Sequence, residues 1–150
     1  MDWSTIIKEN HMTNPTQLFH QYLQVSRSLV SKMNEQITAL EIYHNQWTIL
    51  NYLKNCGYST IPDICSYLDV DSVIITRSVN SMEQNNMIKQ VPGKDEQEKR
   101  IELTPRGKEV HTKCLKIAEK IEGKALEGIT EEEQEVFFQT VLKILNNIRN

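Results

Sequence analysis

The stretch STIPDICSYLDVDSVIITRSVNSMEQNNMIKQVPGKDEQEKRIELTPRG, residues 59–107, decides the fold. Its segments are a short helix capped by Thr60, a turn at Asp69–Ser72, a helix to about Asn85, and strands at Met87–Val91 and Lys99–Leu103. The residues between the two strands, Pro92 to Asp95, have the composition of a tight turn. Thr104-Pro105 then begins another helix, because proline is favoured just after a cap. The order is therefore helix, turn, helix, two-stranded ribbon and helix.

The helix after the turn has two faces of opposite chemistry. At about 100° per residue, one face is largely apolar and predicts a core contact; it carries Ile75, Ser78, Val79 and Met82. The opposite face carries Val73, Thr76, Arg77, Asn80 and Gln84. Its polar side chains offer the hydrogen-bonding groups that DNA base edges and phosphates require. Together with the ribbon, this pattern predicts a winged helix-turn-helix, whose second helix enters the major groove.

Amphipathic helices are predicted on the N-terminal side of this module. Asn14-Pro15 is a cap and first-turn pair. Apolar positions then recur every three or four residues: Leu18, Tyr22, Val25, Leu29, Met33, Ile37 and Leu40. A second helix carries Ile42, Gln46, Trp47, Ile49, Leu50 and Leu53. Gly57 suits the left-handed position after its end.

Two further helices are predicted on the C-terminal side. The buried line of the first is predicted as Val110, Cys114, Ile117, Ile121 and Ala125, with a break at Gly128. Thr130 and the acidic residues after it form a capping box for the last helix. Its apolar residues are Phe137, Val141, Ile144, Leu145 and Ile148. The predicted fold class is mostly α with a small β-wing.

Composition is that of one globular domain of 150 residues, with 25% charged and 39% hydrophobic residues. The net charge is -3, yet residues 72–108 hold seven lysines and arginines against five acidic residues, a local net of +2. Met1–Lys8 lacks a basic start followed by an apolar core, so we expect no secretory signal. No apolar run is long enough to span a membrane, and a cytoplasmic location is expected.

Nothing in the chain predicts catalysis or a bound cofactor. There is no glycine-rich phosphate loop, G-x-S-x-G, H-E-x-x-H or paired-carboxylate pattern. Three scattered cysteines, Cys56, Cys65 and Cys114, do not predict a metal site or a disulfide framework. Cys65 and Cys114 are expected to be buried and inert, whereas Cys56 beside a helix end is expected to be more exposed.

Several short motifs in this order resemble the MarR family of bacterial transcriptional regulators: Gln46-Trp47-x-x-Leu50, Ile64-Cys65-x-x-Leu68, Thr76-Arg77, Met82-Glu83 and Leu103-Thr104-x-x-Gly107. The resemblance extends from about Asn14 to the C-terminus. It implies a homodimeric repressor on a pseudo-palindromic double-stranded DNA operator. Residues 14–40 and 104–150 would form dimerisation helices, and residues 41–103 the DNA-binding lobe.

The resemblance also implies where DNA would be contacted. Ser72, Thr76, Arg77 and Asn80 match major-groove positions, and Val73 and Gln84 share their helix face. The family's wing usually has Asp-x-Arg, whereas this chain has Asp95-Glu96-Gln97, and Asn86 stands where the family often has glycine. The wing residues predicted to contact DNA are Lys94, Gln97, Lys99 and Arg100. A solvated helix charge at Arg77 and a solubilising hairpin at the wing are the competing interpretations.

A small phenolic effector is a further expectation, because family members have a pocket between the dimer helices and the DNA-binding lobe. Tyr43, His44 and Trp47 are the candidate residues lining this pocket. The competing interpretation is that Trp47 belongs to the core and that His44 lies on the surface. A second hypothesis for the whole chain is a winged-helix protein-interaction module that has lost DNA binding, motivated by Gln97 and the acidic total charge.

Overall fold

The computed structural model describes residues 11–12, 14–95 and 98–150. The expectation about Met1–Lys8 therefore lies outside the described residues. The described helices are α1 (Pro15–Ile37), α2 (His44–Cys56), α3 (Ile61–Leu68), α4 (Ser72–Gln84), α5 (Pro105–Ala125) and α6 (Glu131–Arg149), with a 3-10 turn at Thr38–Leu40. The strands are β1 (Tyr58–Ser59), β2 (Ile88–Pro92) and β3 (Lys99–Leu103). The mostly α class with a small β-wing is confirmed.

The three described strands form one antiparallel sheet in the order β1-β3-β2. Gln90 lies opposite Ile101 and Pro92 opposite Lys99, so the hairpin register keeps Ile88, Ile101 and Leu103 buried. The two strands of the ribbon were predicted, with β2 one residue later than expected. β1 was not predicted, because a two-residue strand is too short to show alternation.

Local sequence signals set the helix starts. The side chain of Asn14 accepts from the Gln17 backbone N–H at 3.2 Å, and that of Thr60 accepts from Asp63 at 3.3 Å. Thr130 caps α6 in the same way, accepting from the Glu133 N–H at 3.1 Å. These oxygens satisfy N–H groups that have no partner inside the helix, so the three predicted caps are confirmed.

The chain divides into two compact units, with the boundary inside α5 after Ala118. The core of the first unit is built from α2, α4 and the sheet; its fully buried side chains include Ile49, Leu50, Leu53, Ile75, Val79, Met82, Met87 and Ile101. Removing this apolar surface from water stabilises the lobe by about 25 cal/mol per Å².

The predicted buried line of α5 is only partly correct. Val110 and Cys114 are buried, but the line continues through Ala118, and Ile117 and Ile121 are half-buried while Ala125 is exposed. Ile121 and Ala125 lie in the second compact unit, which begins at Glu119.

Apolar side chains remain uncovered on two helices, each within its own unit. On α1 only Met33 and Ile37 are buried, and Leu18, Phe19, Tyr22, Leu23, Val25 and Leu29 are exposed. The second unit, Glu119–Asn150, contains α6, in which no residue is buried. The assignment of residues 14–40 and 104–150 to a dimer interface stays a prediction. None of the described helices combines the length and the apolar character that a bilayer crossing requires.

Candidate nucleic-acid interface

The outer face of α4 is a continuous exposed surface. The six residues predicted on it are all exposed: Ser72, Val73, Thr76, Arg77, Asn80 and Gln84. The four residues predicted to face the core are the buried residues of this helix. Within the described part of the chain, no polar side chain of the outer face forms a hydrogen bond or ion pair, so its donors and acceptors are available to a ligand.

The inner face of α4 is fixed to α2 by two side-chain hydrogen bonds. Asn45 donates from Nδ2 to Ser78 Oγ at 2.8 Å, and Gln46 donates from Nε2 to Ser81 Oγ at 3.4 Å. Gln46 Oε1 also accepts from the Tyr43 backbone N–H at 3.0 Å, which satisfies that donor at the start of α2. Because Ser78 and Gln46 are buried, these bonds set the rotation of α4 about its own axis.

The two ends of α4 are set by local backbone geometry. Asp69 ends α3 at φ 55°, and Asp71 accepts the Val73 N–H at 2.8 Å to begin α4 after a short turn. After α4, Asn86 adopts φ 59°, a left-handed conformation that asparagine tolerates better than most residues. Asn86 can therefore adopt the left-handed conformation at a position where the family often has glycine.

Thr104 joins the end of α4 to the wing and to α5. Its hydroxyl donates to the Asn86 carbonyl at 2.6 Å and accepts from the Gly107 N–H at 3.0 Å, while its own N–H donates to the Met87 carbonyl at 3.1 Å. A Cβ at Gly107 would overlap the Met87 carbonyl oxygen. The Leu103-Thr104-x-x-Gly107 motif therefore marks a close backbone crossing at the junction of helix and wing.

The predicted wing residues have different environments. Lys94 and Lys99 are exposed and form no ion pair within the described residues. Arg100 is half-buried: its guanidinium lies 4.5 Å from the centre of the Tyr58 ring, and its Nε lies 3.9 Å from Glu98 Oε1. Gln97 lies outside the described residues. Lys89 is less available than the two tip lysines, because it pairs with Glu102 at 3.2 Å.

The three candidate effector residues do not share one environment. Tyr43 is 61% exposed, whereas Trp47 is only 8% exposed and stacks on His111 with ring centres 5.3 Å apart. His44 is half-buried, and its backbone N–H donates to Asn34 Oδ1 at 2.8 Å. Burial lowers the pKa of His44, so its ring is neutral at physiological pH.

His111 was not identified from the sequence. It is buried against Trp47 and lies 3.0 Å from Asn51 Oδ1 through Nε2. Burial, with a smaller effect from Lys54, lowers the pKa of His111. The local signal of burial was its position three residues before Cys114 on the α5 stripe.

The cysteines offer no shared site within the described residues, which also hold no cluster of side chains arranged for a metal ion. Cys114 is buried, and burial raises its pKa to about 11. Cys65 is half-buried instead of fully buried, since the short α3 covers it incompletely. Cys56 is exposed and donates to the Tyr58 carbonyl at 3.3 Å.

Comparison with known proteins agrees with this geometry. Residues 44–107 match the family model for a winged helix DNA-binding domain. An uncharacterized HTH-type transcriptional regulator of Bacillus subtilis, YwoH, is 32% identical over 124 residues, which cover 80% of this chain and 88% of that protein.

Solved structures share most of the fold. A mutant of MarR from E. coli complexed with operator DNA has a TM-score of 0.77 at 18% identity, covering 86% of this chain and 94% of that one. An organohalide-sensing transcriptional regulator in its 2,4-dichlorophenol-bound form has a TM-score of 0.80 at 19% identity, covering 92% and 83%.

These matches support DNA binding over the alternative of an interaction module, since the matched lobe is a DNA-binding domain. They also agree with the expectation that the chain is not an enzyme, because its family consists of regulators. The chain belongs to the HTH-type transcriptional regulators with a winged helix DNA-binding domain, and it has the fold of MarR-type regulators.

Proposed function

We propose that this protein is a homodimeric repressor that reads a pseudo-palindromic double-stranded DNA operator through the outer face of α4. The observation that carries the proposal is that this face has exposed, unpaired polar side chains while Ser78 and Ser81 hold the opposite side in place. A rigid helix with free hydrogen-bonding groups is what base readout in a major groove requires.

Arg77 is the principal contact in this proposal. It is the one cation among the outward residues of α4, and it forms no ion pair within the described chain. A bidentate contact with guanine would make Arg77→Ala lose about 1–3 kcal/mol of binding, about 5- to 150-fold in Kd. A phosphate contact would cost less and would reduce the salt slope by about one.

The test uses fragments selected from the host genome by binding to the wild-type protein. Fluorescence anisotropy at several salt concentrations gives Kd and slope for wild type and for Arg77→Ala. Lys143→Ala, which removes one exposed positive charge from α6, is the control. An Arg77→Ala affinity within twofold of wild type would remove Arg77 from the DNA-contacting site.

Homodimer formation is proposed from the uncovered apolar side chains of α1 and α6. Val136, Phe137, Phe138 and Leu142 on α6 are each more than 40% exposed, as are Leu18 and Leu23 on α1. Surfaces of this kind normally mark an interface. A dimer would also supply two copies of α4 to two half-sites, about one turn of DNA apart.

Sedimentation equilibrium tests the dimer. We expect Phe138→Asp to weaken association by at least tenfold, because a charge would be buried without a partner. Asn146→Asp adds the same charge to an exposed position of the same helix and serves as the control. A monomeric wild-type protein at micromolar concentration would contradict the dimer.

Release of DNA by a phenolic effector completes the proposal. The support is the structural similarity to a regulator solved with 2,4-dichlorophenol. Tyr43 and His44 are the accessible members of the candidate site, whereas Trp47 is already stacked on His111. A series of chlorinated and carboxylated phenols, titrated into the protein–DNA complex, should raise Kd for DNA; no change at millimolar concentration would exclude this class. In vitro transcription from a bound promoter decides between repression and activation.

A further inference from the structure

Arg100 lies near the distal end of the β2–β3 hairpin, opposite Val91, and contacts both Tyr58 and Glu98. Its guanidinium lies 4.5 Å from the centre of the Tyr58 ring on β1, a cation–π distance. Its Nε also lies 3.9 Å from Glu98 Oε1, an ion-pair distance. The Arg100 side chain is 21% exposed, so most of its length is covered by the protein.

Glu98 extends this arrangement into the tip of the wing. Its Oε2 accepts the Lys94 backbone N–H at 3.1 Å, and its carbonyl accepts the Gly93 N–H at 2.8 Å. Its own N–H donates to Asp95 Oδ1 at 2.9 Å. Glu98 is thus hydrogen-bonded to the backbone that carries Lys94, and it lies at an ion-pair distance from Arg100, whose Nε is buried and has no hydrogen-bond partner among the described residues.

We propose that the wing is fixed by a brace of three residues, Tyr58, Arg100 and Glu98. In this brace Arg100 is a positioning residue, and the wing residues that contact DNA are Lys94 and Lys99. This rests on the proposed function, since it assumes that the wing faces DNA. It departs from the expectation that Arg100 itself reaches DNA in compensation for Gln97.

Moving Arg100 to DNA would break the contacts that shape the wing. The guanidinium would leave the ring and the carboxylate, and the half-exposed Glu98 would keep its charge at the wing tip. Lys94 and Lys99 need no such rearrangement, because they are exposed and unpaired among the described residues. Lysines contact phosphates as point charges, so this wing would add salt-dependent affinity and little base readout.

The test compares Tyr58→Leu with Tyr58→Phe in the full chain. Leucine removes the ring and its cation–π contact, whereas phenylalanine keeps the ring and loses only a hydroxyl that bonds to no described residue. We expect Tyr58→Leu to weaken DNA binding about two- to fivefold with an unchanged salt slope, and Tyr58→Phe to bind as wild type. Amide exchange at Lys94 should become faster in Tyr58→Leu only.

The lysines and Arg100 are tested in the same assay. Lys99→Ala and Lys94→Ala should each reduce the salt slope by about one, whereas Arg100→Ala should leave the slope unchanged and weaken binding as Tyr58→Leu does. A reduced slope in Arg100→Ala, with Arg100→Lys restoring it, would show a direct phosphate contact and overturn the proposal.

Failure of the brace and failure of the proposed function give different results. If the wing does not meet DNA, both lysine variants keep the wild-type slope, while Arg77→Ala still loses affinity. If the brace does not exist, amide exchange at Lys94 is the same in Tyr58→Leu and Tyr58→Phe without any DNA present. Either result refutes the inference.

Discussion

Replacing Thr104 with valine keeps the shape of the side chain and removes one hydroxyl with two hydrogen bonds. That hydroxyl donates to the Asn86 carbonyl at 2.6 Å and accepts from the Gly107 N–H at 3.0 Å. Thr104 is buried, and so is Gly107, whereas Asn86 is exposed. The two lost bonds therefore have different consequences.

The Gly107 N–H lies in the first turn of α5 and has no partner inside the helix. Left unsatisfied in a buried position, it costs about 1–3 kcal/mol. Asn86 is exposed, so water can replace the Thr104 hydroxyl at its carbonyl. Losing this hydrogen bond therefore costs about the net value of one hydrogen bond, about 0.5–1.5 kcal/mol. We expect Thr104→Val to lower the free energy of unfolding by about 1.5–4.5 kcal/mol.

Urea unfolding at one fixed protein concentration measures this change, because the stability of an associating protein depends on concentration. Thr104→Ser is the control: it keeps both hydrogen bonds and loses one methyl group, for about 1 kcal/mol. DNA affinity, measured well below the unfolding midpoint, should fall with Thr104→Val, since Asn86 lies two residues after the end of α4. A Thr104→Val protein as stable as Thr104→Ser would refute the reasoning.

Three further outcomes are expected. Gly107→Ala should destabilise the fold by more than about 2 kcal/mol in the same urea assay, because its Cβ would overlap the Met87 carbonyl, which is backbone and cannot move aside. The lowered pKa of His111 means that the unfolded chain binds a proton more readily than the folded one. The contribution of His111 to the free energy of unfolding should thus be complete above pH 6.5 and should decrease as the pH falls below it. His111→Gln should flatten this pH dependence. An unchanged pH profile in that variant would show that His111 is not the group responsible. With a pKa of about 11, Cys114 should resist an aromatic disulfide reagent at pH 8 until the protein unfolds, while exposed Cys56 reacts at once; equal rates in a stopped-flow assay would contradict this.

The division of α4 into two faces could be predicted from sequence alone. Helical periodicity is a local property, and the buried set Ile75, Ser78, Val79 and Met82 follows from it without knowledge of any other element. The caps at Asn14, Thr60 and Thr130 were predictable for the same reason: each joins a side chain to an N–H three residues later.

Contacts between distant segments could not be predicted in this way. Asn45 and Ser78 are 33 residues apart, and Asn51 and His111 are 60 apart. No periodicity links such pairs, and a polar residue on a helix has many alternatives to any one partner. The wing shows the consequence: sequence alone grouped Arg100 with Lys94 and Lys99 as wing cations.

The amino-acid sequence by itself determined the order of the helices and of the two ribbon strands, the helix caps and the outward residues of α4, because each depends on neighbours within one or two turns. Only the tertiary structure decided that β1 completes the sheet and brings Tyr58 beneath the guanidinium of Arg100. Chain folding places residues 42 positions apart in one contact, and the energy of that contact depends on both side chains at once. Which wing cations remain free for DNA is therefore a property of the folded chain.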